Sequence, residues 1–158
     1  MARQFIIDTM LGKLAKWLRV MSYDAHYQSY YKDGELAQFI KDGRVLLSRD
    51  RKVIKKYKNS FFIKSDNVFN QLLEIRENGY IKKRDVICFL RCLICNTLLE
   101  KIQLEKARER IPEYIYNQSD KHIKFCRSCG RYFWPGSHKK RMINQLKEWG
   151  FELDDRQQ

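Results

Sequence analysis

The sequence predicts an α/β protein, in which a parallel sheet of four or five strands is flanked by helices and followed by a small rubredoxin-like zinc ribbon. Two observations support this fold class. Short apolar segments alternate with amphipathic ones over roughly the first 80 residues, which is typical of a parallel sheet covered by helices. Two Cys-x-x-Cys pairs, aromatic residues and short irregular segments follow. We expect a domain boundary near residue 86, between a sheet domain at 1–86 and a ribbon with a C-terminal amphipathic helix at 87–158.

Four segments of the first domain have strand character. They lie at 4–8, 24–28, 44–48 and 61–63. The first two of these segments end in polar residues, and 44–48 is the clearest strand, which ends at Arg49-Asp50. The alternation with helices indicates that all of these strands run in parallel.

A helix is expected after each strand. The helices lie at 9–21, 33–43, 51–57 and 68–77, with a last one at 138–149. Leu11, Leu14 and Leu18 recur at helical spacing in the first helix. The second helix should begin at Asp33, and either Asp66 or Asn67 is placed to cap the fourth, Asp66 being more of a cap than a ligand.

The charge favours a polyanionic partner. The chain of 158 residues carries 32 Lys+Arg against 19 Asp+Glu, a net charge of +13, and 44% of its residues are hydrophobic, which excludes a disordered chain. No apolar run approaches the ~20 residues that span a bilayer, and no signal peptide is recognisable at the N-terminus. We expect a soluble cytoplasmic protein that binds nucleic acid and no membrane.

Four cysteines predict one structural zinc ion. Cys92, Cys95, Cys126 and Cys129 form two Cys-x-x-Cys turns, and each turn delivers two thiolates to a tetrahedral metal. Asn96 and Gly130 follow the second thiolate of each pair, and both residue types tolerate the left-handed conformation of a zinc knuckle. A redox dithiol needs only one pair, and an iron–sulfur cluster is the lesser alternative. His122 and His138 are not expected to be ligands.

Three aspartates stand where a metal could bind. Asp8 and Asp50 end two strands, and Asp33 opens a helix. The carboxyl ends of parallel strands meet at one edge of the sheet, and carboxylate oxygens suit Mg²⁺ or Mn²⁺. Such ions activate water and neutralise the charge that develops on a phosphodiester. From position alone, the alternative that each aspartate caps a helix stays open.

Several motifs together resemble the Mut-seven carboxy-terminal RNase family, a PIN-like nuclease domain fused to a zinc ribbon. The segments that carry the resemblance are Phe5-Ile6-Ile7-Asp8-x-Met10-Leu11-Gly12-Lys13-Leu14-Ala15-Lys16-Trp17-Leu18-Arg19, Asp33-x-Glu35-Leu36, Arg44-Val45-Leu46-Leu47-Ser48-Arg49-Asp50, Arg91-Cys92-x-x-Cys95-Asn96-x-x-Leu99 and Cys126-x-x-Cys129-Gly130-x-x-x-Trp134-Pro135-Gly136-Ser137-His138. Their common order is more specific than any one motif.

The resemblance implies a PIN-like fold and metal-dependent hydrolysis of RNA. Asp8, Asp33 and Asp50 would be the catalytic acids and would hold one or two Mg²⁺ or Mn²⁺ ions, with Glu35 as a further candidate ligand. Many PIN nucleases carry a Glu on a helix between the first and third acids, and this chain has no equivalent before Asp33. Ser48 stands where a Thr is usual and keeps the hydroxyl.

RNA, above all its single-stranded regions, is the expected partner, with a ribosome or other ribonucleoprotein as a further candidate. Basic residues beside the acids and in the ribbon could hold phosphates: Lys13, Arg49, Arg51, Arg127, Arg131, Lys139 and Lys140. Trp134, with Tyr132 and Phe133, could stack on bases, or these rings could pack a small core instead. His138 could contact phosphate or cap the last helix. The alternative functions are a non-catalytic RNA- or ribosome-binding protein and a protein-interaction adaptor.

Overall fold

A four-stranded parallel sheet forms the first half of the molecule, as predicted. The computed structural model describes residues 2–118 and 122–157. The strands are β1 Gln4–Ile7, β2 Asp24–Tyr27, β3 Val45–Ser48 and β4 Ser60–Phe62, in the order β2-β1-β3-β4. The flanking helices are α1 Gly12–Val20, which follows a 3-10 turn at Thr9–Leu11, then α2 Glu35–Lys41, α3 Arg51–Lys56 and α4 Val68–Glu77.

The two central strands explain the order of the sheet. Every residue of β3 is buried, and so are the last three residues of β1, because both strands are covered on two faces. β1 and β3 pair directly, with Ile7 opposite Leu47. Asp8 and the segment after Ser48 therefore leave the sheet side by side, at its carboxyl edge.

A small antiparallel sheet and two short helices are formed by described residues between the cysteine pairs and by a last strand that follows Cys129. The chain forms β5 Glu100–Ile102, α5 Leu104–Ala107, α6 Glu113–Tyr116, β6 Ile123–Phe125 and β7 Tyr132–Phe133, and the sheet order is β5-β6-β7. A second hydrophobic cluster lies under these elements, formed by Ala107, Ile111, Ile115 and Ile123. This region therefore has its own core.

The last helix, α7 Ser137–Glu148, packs on the core of the parallel sheet. Its buried residues, Met142 and Leu146, belong to the same hydrophobic cluster as Leu18 of α1 and Leu72 of α4. The division at residue 86 thus stays a prediction, since this core contains residues from both sides of it. Within residues 2–118 and 122–157, no helix is both long and apolar enough to cross a bilayer.

The first cysteine pair is fastened to β2, an outer strand of the parallel sheet. The Asn96 side chain accepts a hydrogen bond from the Ala25 backbone N–H at 3.0 Å and donates one to Asp24 at 2.7 Å. Asp24 also pairs with Arg44 at 2.6 Å. Burial raises the pKa of Asp24, but the hydrogen bonds from Arg44 and Asn96 outweigh burial, so the net direction is downward. The carboxylate thus stays charged where the two parts of the molecule meet.

The buried guanidinium of Arg19 makes a second connection. Its Nε donates to the Ala25 carbonyl at 2.9 Å, and its Nη1 donates to the carbonyls of Leu93 and Ile94 at 3.1 and 2.9 Å. Helix α1, strand β2 and the first cysteine turn are consequently held by one side chain.

Candidate active site and zinc centre

Asp8 and Asp50 are linked through the hydroxyl of Ser48 at the carboxyl edge of the sheet. Ser48 is fully buried, and its hydroxyl donates to the Asp8 carboxylate and accepts the Asp50 backbone N–H at 3.0 Å. Asp8 accepts the Thr9 N–H at 2.7 Å through its other oxygen, and Asp50 accepts the Lys52 N–H at 2.8 Å. Both aspartates therefore cap the turns that follow them, and each carboxylate keeps unused acceptor capacity for a cation.

Tyr31 ties the following loop to the same edge. Its hydroxyl donates to the carbonyl of Ile7 at 2.6 Å and accepts the Gln28 N–H at 3.0 Å. Burial, and to a lesser extent the charge of Asp8, raise the pKa of Tyr31 to about 12. Tyr31 therefore stays protonated and fixes the start of the segment that carries Asp33.

Asp33 is exposed and does not begin α2. Gly34 is the residue before the helix, at a φ of 85° that glycine adopts readily, and Glu35 is the first helical residue. The Glu35 carboxylate accepts the Lys32 N–H at 2.6 Å, which closes the turn. Among the described residues, Asp8, Asp33 and Asp50 do not bring three carboxylates within 4.8 Å of one another. The predicted triad therefore has Asp8 and Asp50 connected and Asp33 on a neighbouring loop.

A groove of about 730 Å³ begins beside Asp8, and Thr9, Lys13 and Asp66 line it. The cap of α4 is Asn67, whose side chain accepts the N–H groups of Phe69 and Asn70. Asp66 is exposed and follows β4, the neighbour of β3 in the sheet. The signal that marks Asp8 and Asp50, an acid just beyond a strand, thus also marks Asp66.

The predicted basic residues of the first domain surround this edge. Lys13 is exposed in the groove. Arg49 is exposed and donates to the carbonyl of Lys64 at 3.4 Å. The guanidinium of Arg51 lies 4.5 Å from the ring centroid of Phe62. Each cation remains accessible to an anionic ligand.

The four predicted cysteines form a cluster that could hold a zinc ion. All four sulfurs lie within 4.8 Å of one another, and no histidine joins this group among the described residues. The Sγ atoms of Cys92 and Cys129 lie 3.6 Å apart, and those of Cys95 and Cys126 lie 3.3 Å apart. Four soft donors fit a closed tetrahedral site.

The backbone around the cysteines has the expected knuckle geometry. Asn96 and Gly130 both have a φ of 70°. Their N–H groups donate to the carbonyls of Cys92 and Cys126 at 2.9 and 2.8 Å.

Burial raises the pKa of Cys95, but hydrogen bonds with Thr97 outweigh burial and lower it to about 6. Burial also opposes ionisation of Cys129, yet hydrogen bonds from Arg131 lower the pKa of that thiol. Arg131, predicted to bind RNA, thus contacts a cysteine of the cluster.

A second cavity, of about 1010 Å³, lies between the segment of the first cysteine pair, the helix α6, the strand β6 and the first turn of α7. We call it the ribbon cavity. Trp134, His138, Lys139 and Lys140 line it, as do Phe89, Tyr114, Lys101 and Lys124, which the sequence did not single out. Tyr132 and Trp134 also pack against the second core, which is the core-packing alternative that the sequence left open for these rings. Arg127 lies elsewhere and pairs with Glu100 at 3.1 Å.

Comparison with known proteins gives one match. The sequence model of a family described as Mut7-C RNAse domain matches residues 3–146, nearly the whole chain. The matched range includes the three aspartates and all four clustered cysteines. No curated protein and no solved structure gives a significant match.

Proposed function

Since this chain belongs to the Mut7-C RNAse domain family, we propose that it is a ribonuclease that depends on Mg²⁺ or Mn²⁺ and hydrolyses phosphodiester bonds of RNA. The hydrogen-bonded connection of Asp8, Ser48 and Asp50 at the carboxyl edge of the parallel sheet is the observation that supports this most. It fixes the Asp8 carboxylate and the Asp50 backbone just beyond the ends of adjacent strands, where open α/β sheets bind their ligands.

The chemistry of these donors fits a divalent cation. Asp8 and Asp50 would hold it, with Asp33 and Glu35 on the loop fixed by Tyr31 and Asp66 across the groove as further donors. When bound, such an ion supplies Lewis acidity and lowers the pKa of water near the phosphorus. Oxygen donors of this kind suit Mg²⁺ or Mn²⁺ better than they suit a soft metal.

The chain itself contributes orientation and positive charge. The Ser48 hydroxyl fixes one oxygen of Asp8, and the Thr9 N–H fixes the other, so the carboxylate has little freedom to rotate. Lys13 and Arg51 lie beside the acids and would neutralise the phosphates that flank the scissile bond. A carboxylate held in place requires little reorganisation during the reaction.

We further propose that the four-cysteine cluster holds one structural zinc ion and that the ribbon adds affinity for RNA. The four donors leave no open coordination position, so this metal would have no catalytic role. Its effect would be to hold the ribbon in a single conformation.

Substitution of Asp8 tests the proposed catalysis. Asp8→Asn should lower the Mn²⁺-dependent cleavage of a labelled single-stranded RNA by about 100-fold or more, because a metal ion supplies several kcal/mol to the reaction. Asp42→Asn is the matched control, since Asp42 is exposed at the end of α2. Equal cleavage by both variants and the wild type would reject the proposal.

A non-catalytic RNA-binding protein is the second candidate. It is favoured by one observation, that Asp8 and Asp50 both serve as helix caps and are satisfied in that role. Such a protein would bind RNA with a steep salt dependence and leave it intact. The cleavage assay separates the two candidates directly.

A further inference from the structure

The ribbon cavity carries positive charge that the described structure leaves uncompensated. Six lysine and arginine side chains and no acidic residue are found among its described lining residues. Arg91 and Arg156 are paired with Asp24 and Asp154. The four lysines, which are Lys101, Lys124, Lys139 and Lys140, form no ion pair with any carboxylate within the described parts of the chain. A concave surface of this charge fits an anionic ligand.

Phe89 organises two of these lysines and is itself strained. Its φ of 60° lies in the left-handed region, which is costly for an aromatic residue and marks sites where the surrounding structure holds the backbone. Its N–H donates to the carbonyl of Val20 at 2.8 Å, which anchors it to the end of α1. Its carbonyl accepts from Lys124 at 2.8 Å, and its ring centroid lies 5.0 Å from the Lys139 nitrogen. Both ammonium groups are thereby held at one wall.

Aromatic rings also line the cavity. Tyr114 is exposed. Trp134 is half-buried and lies beside Gly136, so a Cβ added to Gly136 would be 3.9 Å from the indole ring. Rings that are partly packed and partly accessible provide a rigid face for stacking. Aromatic faces beside cations are the combination that binds unpaired bases and their phosphates, and an acidic peptide or a membrane surface would not require both.

We propose that the ribbon cavity binds an unpaired nucleotide of the RNA, with its base among the aromatic rings and its phosphates on the four lysines. The proposal rests on the ribonuclease function proposed above and deepens it, because it names a place where single-stranded RNA is held apart from the carboxylates. The volume agrees with this ligand, since pockets of about 300–1,000 Å³ accept small organic molecules. Bases that are paired in a duplex cannot enter.

Binding to an Asp8→Asn protein tests the proposal without cleavage. The full-length, zinc-loaded chain is titrated into a short fluorescein-labelled single-stranded RNA, and anisotropy is measured over a series of salt concentrations. Lys101→Met and Lys140→Met should each weaken binding several-fold and reduce the slope of log affinity against log salt by about 1. Both side chains are exposed, so their loss does not threaten folding.

Lys106→Met is the matched control, because Lys106 is an exposed lysine on α5 that does not line the cavity. It should bind RNA as the parent protein does. Trp134→Leu should weaken binding by about tenfold, as expected for the loss of one stacked base. The same RNA annealed to its complement should show little sensitivity to the tryptophan substitution.

Photocrosslinking locates the contact. RNA containing 4-thiouridine should crosslink to peptides that carry Tyr114 or Trp134. The inference is overturned if the cavity variants bind like Lys106→Met, or if the crosslinks lie only at the edge of the parallel sheet. Wild-type protein that binds RNA through the cavity but never cleaves it would overturn the ribonuclease proposal and leave this inference standing.

Discussion

Ser48 shows how a single hydroxyl can organise two elements. It is the last residue of β3, after three apolar residues, and is fully buried although its side chain is polar. Its hydroxyl has two partners, the Asp8 carboxylate and the Asp50 N–H, so it serves both as donor and as acceptor. From the resemblance, Ser48 stands where a Thr is usual and keeps the hydroxyl, and the structure identifies the two partners of that hydroxyl.

Removal of this hydroxyl should destabilise the protein. Ser48→Ala leaves the partly buried Asp50 N–H without its acceptor and removes one donor from Asp8, so we expect a loss of about 1–3 kcal/mol in the free energy of unfolding. Urea denaturation measures this loss. Ser29→Ala, at an exposed serine, is the control and should change stability by less than about 0.5 kcal/mol. Equal effects of both substitutions would contradict the role given to Ser48.

At the scale of elements, the start of α4 separates a cap from a candidate ligand. The sequence allowed either Asp66 or Asn67 to cap this helix. In the structure Asn67 accepts the N–H groups of Phe69 and Asn70 at 2.9 and 3.3 Å, and Asp66 lines the groove. The two neighbours therefore have different roles, which substitution can distinguish.

Asn67→Ala should cost about 1 kcal/mol of stability, because it removes the acceptor for two N–H groups at the helix start. Asp66→Ala should leave the unfolding transition near that of the wild type and lower RNA cleavage instead. Thermal denaturation followed by circular dichroism provides the stability measurement. A larger loss of stability at Asp66 than at Asn67 would show that these roles are reversed.

Elements with a strong pattern were predictable, and elements without one were not. All four parallel strands and their helices lie within a few residues of their predicted places, because each combines periodicity with a stop signal. α5 and α6 have four residues each and β7 has two, which is too short for any periodicity to show. These elements depend on the second core, whose contacts are set by tertiary packing.

The candidate site divides in the same way. The cysteine cluster was fully predictable, since spacing alone brings two thiolates together in each turn. The proximity of Asp8 and Asp50 could also be predicted, because each residue follows a strand and the two strands are neighbours in the sheet. The exposure of Asp33 and the convergence of Lys124 and Lys139 on Phe89 depend on loop conformation, which no local pattern encodes.

At the scale of the whole molecule, the parallel sheet and the first cysteine pair act as one structure. Arg19 and Asn96 bond across the junction, and α7 returns from the ribbon to the core of the sheet. Loss of the proposed zinc ion should therefore weaken hydrogen bonds outside the ribbon, at the backbone of β2.

Hydrogen exchange can measure this coupling. Chelation of the metal, or Cys126→Ser, should release Asn96 and speed the exchange of the Ala25 N–H, which donates a hydrogen bond to the Asn96 side chain in the intact structure. Amides of the central strand β1 should remain protected, since Phe5 and Ile6 lie within the sheet on both sides. Unchanged exchange at Ala25 after zinc removal would show that the junction holds without the metal.

The position of β2 gives this junction a wider consequence. An outer strand presents unpaired backbone groups, which invite pairing with another chain unless something covers them. Here Asn96 of a cysteine turn covers the Ala25 N–H and Arg19 covers the Ala25 carbonyl, so part of the protection of the strand depends on the integrity of that turn. Loss of the proposed zinc ion should therefore expose the edge of β2 and promote aggregation through this strand.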